Sequence, residues 1–403
     1  MICKIRELLG IRAMQNLKQQ LLTTLITLTL GAPLALASTP QEKTEYDSIS
    51  NYHSGQAIVG TINAEKNPHR GWIWETEDEP YDTGWALYVD NDLFALRDSD
   101  KDYTGGISLT LAGKRATEYA FSLDPALNWV DKISGFSSFH DNGDRQLHSL
   151  EVGFTVFTPE VITEEAAQLD DRPYASLLFL SNTQESIDFE NDAAYISSFS
   201  VGILGSKIIS ELQTQLHKTL GSDEPVGWEN QISDGGELTA RYSVAKQSLL
   251  HFDYQGDYNL EISTTSQASI GYITAASWGL AARIGEFDTP WYSFRPQFND
   301  YSEKSASLAG LNRQVEEFYF WGGFNIHARA YNAFLQGQFK DSNHTFDASD
   351  MRILVADAWV GVTKQFQTGW RLSYLLRGQS SEVKQGNADR SVVWGGLMIS
   401  KGW

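Results

Sequence analysis

From Gly84 onward, large apolar residues recur at every second position. Tyr88, the series Ile107, Leu109 and Leu111, the pair Phe154 and Val156, and the pair Leu178 and Leu180 all sit in such stretches. A two-residue period belongs to a strand with one apolar and one polar face. The pattern predicts strands at about 84–94, 103–113, 147–158, 174–186, 192–205, 237–249, 256–264, 267–286, 315–331, 353–366, 369–380 and 390–403, although 237–286 could be divided differently. Twelve is an even number, as a closed antiparallel barrel built from one bacterial chain requires. Several of these runs exceed the ~9–11 residues that cross a bilayer at a tilt, so they would continue past it. Some connections are short, such as Gln367-Thr368-Gly369, and others long and polar, such as 114–146 and 287–314. The expectation is short turns on one side and long loops on the other. The fold class is all-β, a transmembrane barrel of about 12 strands.

One segment breaks the period. In Lys207 to Gly221, Ile208, Leu212, Leu216 and Leu220 recur every four residues. This predicts an amphipathic helix in an extracellular loop, with Gly221 as its stop. Such a helix needs the rim or wall of the barrel to pack on. Gln213 and His217 share a helix face, at the margin of the apolar stripe.

The chain has 12 Trp, 17 Tyr and 20 Phe, and Trp85, Trp291, Trp370 and Trp394 fall near strand ends. An aromatic girdle at the membrane interface would produce this. The terminal Trp403, after the last strand, resembles the signal that barrel assembly machinery reads. At the other end, Lys4, Arg6, Arg12 and Lys18 precede an apolar run from about Leu21 to Leu36, and Ala35-Leu36-Ala37 stands before Ser38. That layout predicts a signal peptide over 1–37. Residues 38–83 are polar and unpatterned, an expected flexible extension, with the barrel over 84–403. No later segment reaches the ~18 apolar residues of a spanning helix.

The full chain carries a net charge of −20. Residues 1–37 hold four of its 31 basic residues and one of its 51 acidic ones, so without them the balance is −23. Such acidity argues against nucleic acid, whose phosphates need a basic surface, and suits divalent cations. The single cysteine, Cys3, lies in the expected signal, which excludes disulfides, thiol nucleophiles and cysteine-ligated zinc from the barrel. No Gly-x-Ser-x-Gly elbow is present.

Three clusters could carry chemistry. Asp90-Asn91-Asp92 ends the first strand, and Asp98, Asp100 and Asp102 follow before Tyr103-Thr104-Gly105-Gly106. Hard oxygens of this kind suit calcium. An EF-hand is excluded, because Tyr103 replaces its glycine and Leu109 its closing glutamate; Asp98 and Asp100 read equally as an acidic surface turn. The second cluster is Gln213 and His217, with the dense turn from Gly221 to Gln231 behind them. The third is Asp170-Asp171-Arg172-Pro173-Tyr174-Ala175, where Pro173 suits a strand start and Asp171 with Arg172 would form a structural ion pair at the rim.

Taken in order, Asn91-Asp92-x-Phe94, Asp102-Tyr103-Thr104-Gly105-Gly106, Asp171-Arg172-Pro173-Tyr174-Ala175, Gln213-x-x-x-His217-x-x-x-Gly221 and Gly227-Trp228-x-x-Gln231 resemble the lipid A 3'-O-deacylase family, the LpxR-like proteins. The specific motifs lie between 90 and 231; beyond them only barrel strands match. The resemblance implies a twelve-stranded outer-membrane barrel with its active site on the outer-leaflet side, between the wall and a loop helix. It implies calcium-dependent hydrolysis of the 3'-acyloxyacyl ester of lipid A, with lipopolysaccharide as substrate and outer-membrane lipid as surroundings. Asn91, Asp92, Thr104 and His217 fall on catalytic positions and Gln213 on a supporting one. His217 would act as general base on water, since histidine titrates near neutral pH. Asp92 and Asn91 would hold Ca2+ against the ester carbonyl, and Asp223 would orient the imidazole. Two departures stand out. Asp223 replaces a glutamate, and the loop after the third strand, Pro159-Glu160-Val161-Ile162-Thr163-Glu164-Glu165-Ala166, is acidic where the family carries a basic pair. The second keeps open a related esterase acting on another lipid; a non-catalytic pore or structural barrel is the reading from another class.

Overall fold

The computed structural model describes residues 79–95, 102–255, 258–296 and 315–402. The expected signal 1–37, nearly all of the extension over 38–83, and Asp98, Asp100 and Trp403 lie outside the described residues. Residues 80–83, at the end of that extension, are tied to the wall: Thr83 N–H donates to Ala112 O, and Pro80 O and Tyr81 O accept from Lys114 and Arg115.

Twelve strands close into one antiparallel barrel in which each pairs with its sequence neighbours. They are β1 (Gly84–Asn91), β2 (Asp102–Ala112), β3 (Arg145–Thr158), β4 (Ala175–Asp188), β5 (Ala193–Leu204) and β6 (Glu237–Gln255). The second half comprises β7 (Tyr258–Gly271), β8 (Ile273–Glu286), β9 (Glu317–Asn332), β10 (Leu354–Gln365), β11 (Trp370–Gln379) and β12 (Val392–Gly402). Closure sets Gly84 opposite Gly402 and Asn91 opposite Gly395. Every expected strand is present. The divisions within 237–286 move: β6 runs on to Gln255, and β7 and β8 part at Tyr272. Alternation continues on both sides of that break, so the period cannot reveal it. The turn is fixed by tertiary contacts. Tyr272 is buried against Phe334 and its N–H donates to Ala240 O. Beside it, an added Cβ on Gly271, φ +135°, would stand 2.1 Å from Ala240 O.

The distribution of loops differs from expectation. The long connections 113–144 and 287–316 leave the same barrel end as the short turns 189–192 and 366–369, the end where β1 begins and β12 finishes. Both pack on the barrel. The first holds α1 (Asp124–Ser134) and α2 (Ser137–Asp141). The second turns into the lumen, where Trp291, Tyr292 and Phe294 are buried. The candidate site loops, 92–101, 159–174 and 205–236, open at the opposite end.

Outward positions carry the apolar residues, among them Leu109, Val152, Ile203, Ile270, Ile284, Phe320, Val360 and Ile399. Inward positions carry charges that answer one another. Arg283 meets Glu261 at 2.7 Å, Arg371 meets Glu317 at 3.0 Å, and Asp357 takes Arg377 and His327 at 2.5 Å each. Arg295 of the inserted connection pairs with Glu185, and Thr289 and Asp288 donate N–H groups to Glu317. At the other end, α4 (Ala333–Gln336) caps a cluster of Tyr103, Phe157, Leu177, Phe179, Trp394 and Phe334. The described lumen is thus packed from both ends, as a wall that must be rigid requires and an open pore does not.

Candidate functional site

The register places Asn91 and the bulge at Thr104 on the outside of the wall. Asp90 faces the lumen, where Tyr103 donates to it at 3.2 Å; Asn91, next along β1, points outward. Opposite it, β2 bulges between Tyr103 and Gly105, and the extra residue is Thr104. Asn91 Nδ2 donates to Thr104 O at 2.8 Å, and the Thr104 hydroxyl lies 2.7 Å from that of Thr158 on β3. Gly105, φ +156°, leaves no room for a side chain: a Cβ would stand 2.5 Å from Asp90 O and 3.3 Å from Asn91 Nδ2. Asp92 begins the 3-10 turn after β1 and is 2% exposed.

The helix α3 (Lys207–Leu220) forms where the four-residue period placed it. Its orientation is the reverse of what the apolar stripe suggested. Ile208, Leu212 and Leu216 are exposed, and the buried face is Ile209, Gln213 and His217. Ile209 packs on Val156, Tyr174 and Trp228, with Phe154 and Leu178 beside them. The physical reason is the solvent. On a membrane barrel the surroundings are hydrocarbon, so an apolar stripe turns outward and the polar groups turn to the wall. The helix leaves β5 and reaches β3 at Ile209.

Gly221 ends α3 in the left-handed conformation, φ +69°. Ser222 N–H then donates to His217 O at 3.0 Å, folding the chain back over the last turn. This brings the backbone carbonyl of Asp223 to 2.6 Å from His217 Nδ1. A carbonyl only accepts, so Nδ1 donates, and the neutral ring carries its lone pair on Nε2. The contact to Nδ1 is made by the main chain of Asp223, and its side chain is exposed. Gln213 is 7% exposed, and neither of its amide atoms has a hydrogen-bond partner among the described residues.

The expected Asp171–Arg172 ion pair is not formed between the two side chains. Asp171 pairs with Arg390 at 2.8 Å, and Arg172 pairs with Glu382 and covers the Phe157 ring at 4.7 Å. Arg390 also grips Asp102 at 2.8 Å, directly before the bulge that holds Thr104. Sequence reasoning missed Arg390, Glu382 and Thr158. The first two lie in the β11–β12 connection, which carries no local motif. Thr158 was visible only as an outward position on β3. Among the described residues no three acidic, histidine or cysteine side chains gather as a metal cluster.

The family model for outer membrane protein LpxR matches residues 58–403. Among solved structures, LpxR from Salmonella typhimurium superposes with a TM-score of 0.60 at 16% identity, covering 79% of this chain and 100% of that one. The β-domain of the Bordetella autotransporter BrkA aligns over 80% of this chain and 100% of its own, at 7% identity and a TM-score of 0.37. None of the curated proteins matches in sequence. With the family model spanning most of the sequence and the barrel shared, the chain belongs to the LpxR family of outer-membrane proteins, the lipid A 3'-O-deacylases, which are ester hydrolases.

Proposed function

We propose that this protein hydrolyses the 3'-acyloxyacyl ester of lipid A on the outer wall of its barrel, with His217 as general base. The observation that carries this is the His217 imidazole. It is 6% exposed, faces the wall and is fixed by Asp223 O so that Nε2 holds the lone pair. Nε2 takes a proton from water, the water oxygen attacks the acyl carbon, and the proton passes on to the sugar-side oxygen as the ester bond breaks. No covalent enzyme intermediate is needed. The Gln213 amide donates to the carbonyl oxygen as charge develops there. The Thr104 hydroxyl, steadied by Thr158, positions the water. The exposed stripe of Ile208, Leu212 and Leu216 keeps α3 against the acyl chains of the leaflet.

The residues present fit calcium. Asp92 offers a buried carboxylate, and Asn91, whose nitrogen is committed to Thr104, offers its side-chain oxygen; calcium takes carboxylate and neutral oxygens alike. Bound there, the ion would polarise the ester carbonyl.

Lipid A from a host expressing the protein is expected to lose one acyloxyacyl unit by mass spectrometry, and to keep it when calcium is chelated in isolated membranes. Unchanged lipid A with folded protein and calcium present sinks the reading. One observation favours a second substrate: Glu160, Glu164 and Glu165 crowd the β3–β4 connection, where phosphates need cations. The cations on α3 itself are Lys207 and Lys218, both exposed. Loss of acyl chains from another membrane lipid in the same extract would select that alternative.

Gln213→Leu separates function from stability. The buried amide has no partner among the described residues, and an unsatisfied buried polar group costs about 1–3 kcal/mol. Hydrolysis is expected to fall by at least about tenfold, while resistance to urea in lipid holds or rises. A variant that loses both together would make Gln213 structural.

A further inference from the structure

The connection between β2 and β3 is built inside out for water. Its helix α1 is fastened to the outer wall by polar groups. Buried Asp131 accepts from Ser197 Oγ at 2.7 Å and from Tyr242 Oη at 2.6 Å, both on outward positions of β5 and β6. His140 of α2 reaches the same Ser197 at 2.9 Å, and Leu123 N–H donates to Asn182 Oδ1 on β4. On the opposite face of α1, one turn apart, Trp129 and Ile133 are 64% and 66% exposed. Phe121 and Phe139 are exposed beside them, and Phe139 stacks on the outward Tyr195 of β5 at 4.7 Å. The apolar patch is therefore continuous with the wall.

The connection leaves the barrel at the end where β1 begins and β12 finishes, the end that also carries Trp85, Trp370 and Lys401. Trp85 and Trp370 meet edge to face at 5.7 Å and Lys401 lies over Trp370 at 5.2 Å, the arrangement of an aromatic and cationic belt at a membrane interface. Both barrel termini lie at this end, as they do on the periplasmic side of an even-stranded single-chain outer-membrane barrel.

We propose that α1 and α2 form a membrane-interface anchor, whose outward face of Phe121, Trp129, Ile133 and Phe139 is seated in the lipid on the periplasmic side of the bilayer. The helix lies in the interface plane between wall and lipid. Exposed Lys132 beside Ile133 extends toward the headgroups. The surface belongs to the far end of the barrel from the proposed hydrolytic site and does not depend on it.

The test uses the full chain in vesicles of phosphatidylethanolamine and phosphatidylglycerol. Cys3 is the only cysteine, so Cys3→Ser combined with Trp129→Cys or Ile133→Cys takes one nitroxide label. Asp347→Cys, on an exposed loop, and Val360→Cys, on the outward face of β10, supply the water and lipid references. Power saturation is expected to give labels at 129 and 133 an oxygen-over-nickel-chelate accessibility shifted from the Asp347 value toward the Val360 value. Accessibility equal to that at Asp347 overturns the anchor. Exclusion of both relaxants with dipolar broadening assigns the face to a second copy of the chain and overturns it as well.

Discussion

His217→Ala is expected to lower ester hydrolysis by roughly 10²–10⁴-fold and to leave the barrel folded. The imidazole is bonded to Asp223 O, a contact at the end of a surface helix and away from the strand pairing that closes the barrel. Purified variant and parent would be compared on extracted lipid A, with the heat-dependent shift in gel mobility reporting the folded barrel. A companion substitution tests how the ring is held. The contact to His217 Nδ1 is made by the main chain of residue 223, so Asp223→Ala should keep the rate within a few-fold of the parent. A rate for Asp223→Ala as low as that of His217→Ala would return the orienting role to the carboxylate. A His217→Ala protein that still hydrolyses at the parent rate would remove the general base from the mechanism.

Glu382→Ala should be the most damaging substitution for stability at the site end, by about 3–5 kcal/mol. Its carboxylate, 3% exposed, takes hydrogen bonds from Arg172, Arg329 and Asn332. These come from the β3–β4 connection and from β9, while Glu382 itself belongs to the β11–β12 connection. Removing it takes away the carboxylate that joins two buried guanidinium groups, and losing one member of a desolvated ion pair is the expensive case. Glu382→Gln retains one acceptor oxygen and should fall between alanine and the parent. Urea titration of the three proteins in the same lipid, followed by tryptophan fluorescence, would rank them; equal midpoints would show that the cluster contributes nothing net. Because Arg172 also covers Phe157, near the bulge that presents Thr104, the alanine variant should also lose activity before it unfolds.

The strands were legible because each has one face in lipid and one in a polar lumen, so alternation persists along the whole wall. The helix over 207–220 was legible from its four-residue spacing, and its stop from Gly221. Asn91, Asp92, Thr104, Gln213 and His217 could be singled out from short motifs taken in order. What those motifs could not carry was direction. The apolar stripe Ile208, Leu212 and Leu216 is the core face in water and the outer face in lipid, and the same spacing serves both. Likewise, alternating stretches stand on both sides of Tyr272, and their period does not mark where the chain reverses; there Tyr272 and Ile273 both turn inward.

Local pattern by itself determined the barrel, its even strand number and the loop helix, since each follows from a period or spacing within a few residues, while the proposed catalytic residues came from ordered motifs that resemble a family. Tertiary structure alone decided which face of α3 meets the wall, that the backbone of Asp223 holds His217, that Arg390 grips Asp102 and Asp171, and that the long connections fold onto or into the barrel. These are contacts between groups as much as 288 residues apart. The long-range ones form only once the strands close into the barrel, and no local period encodes any of them.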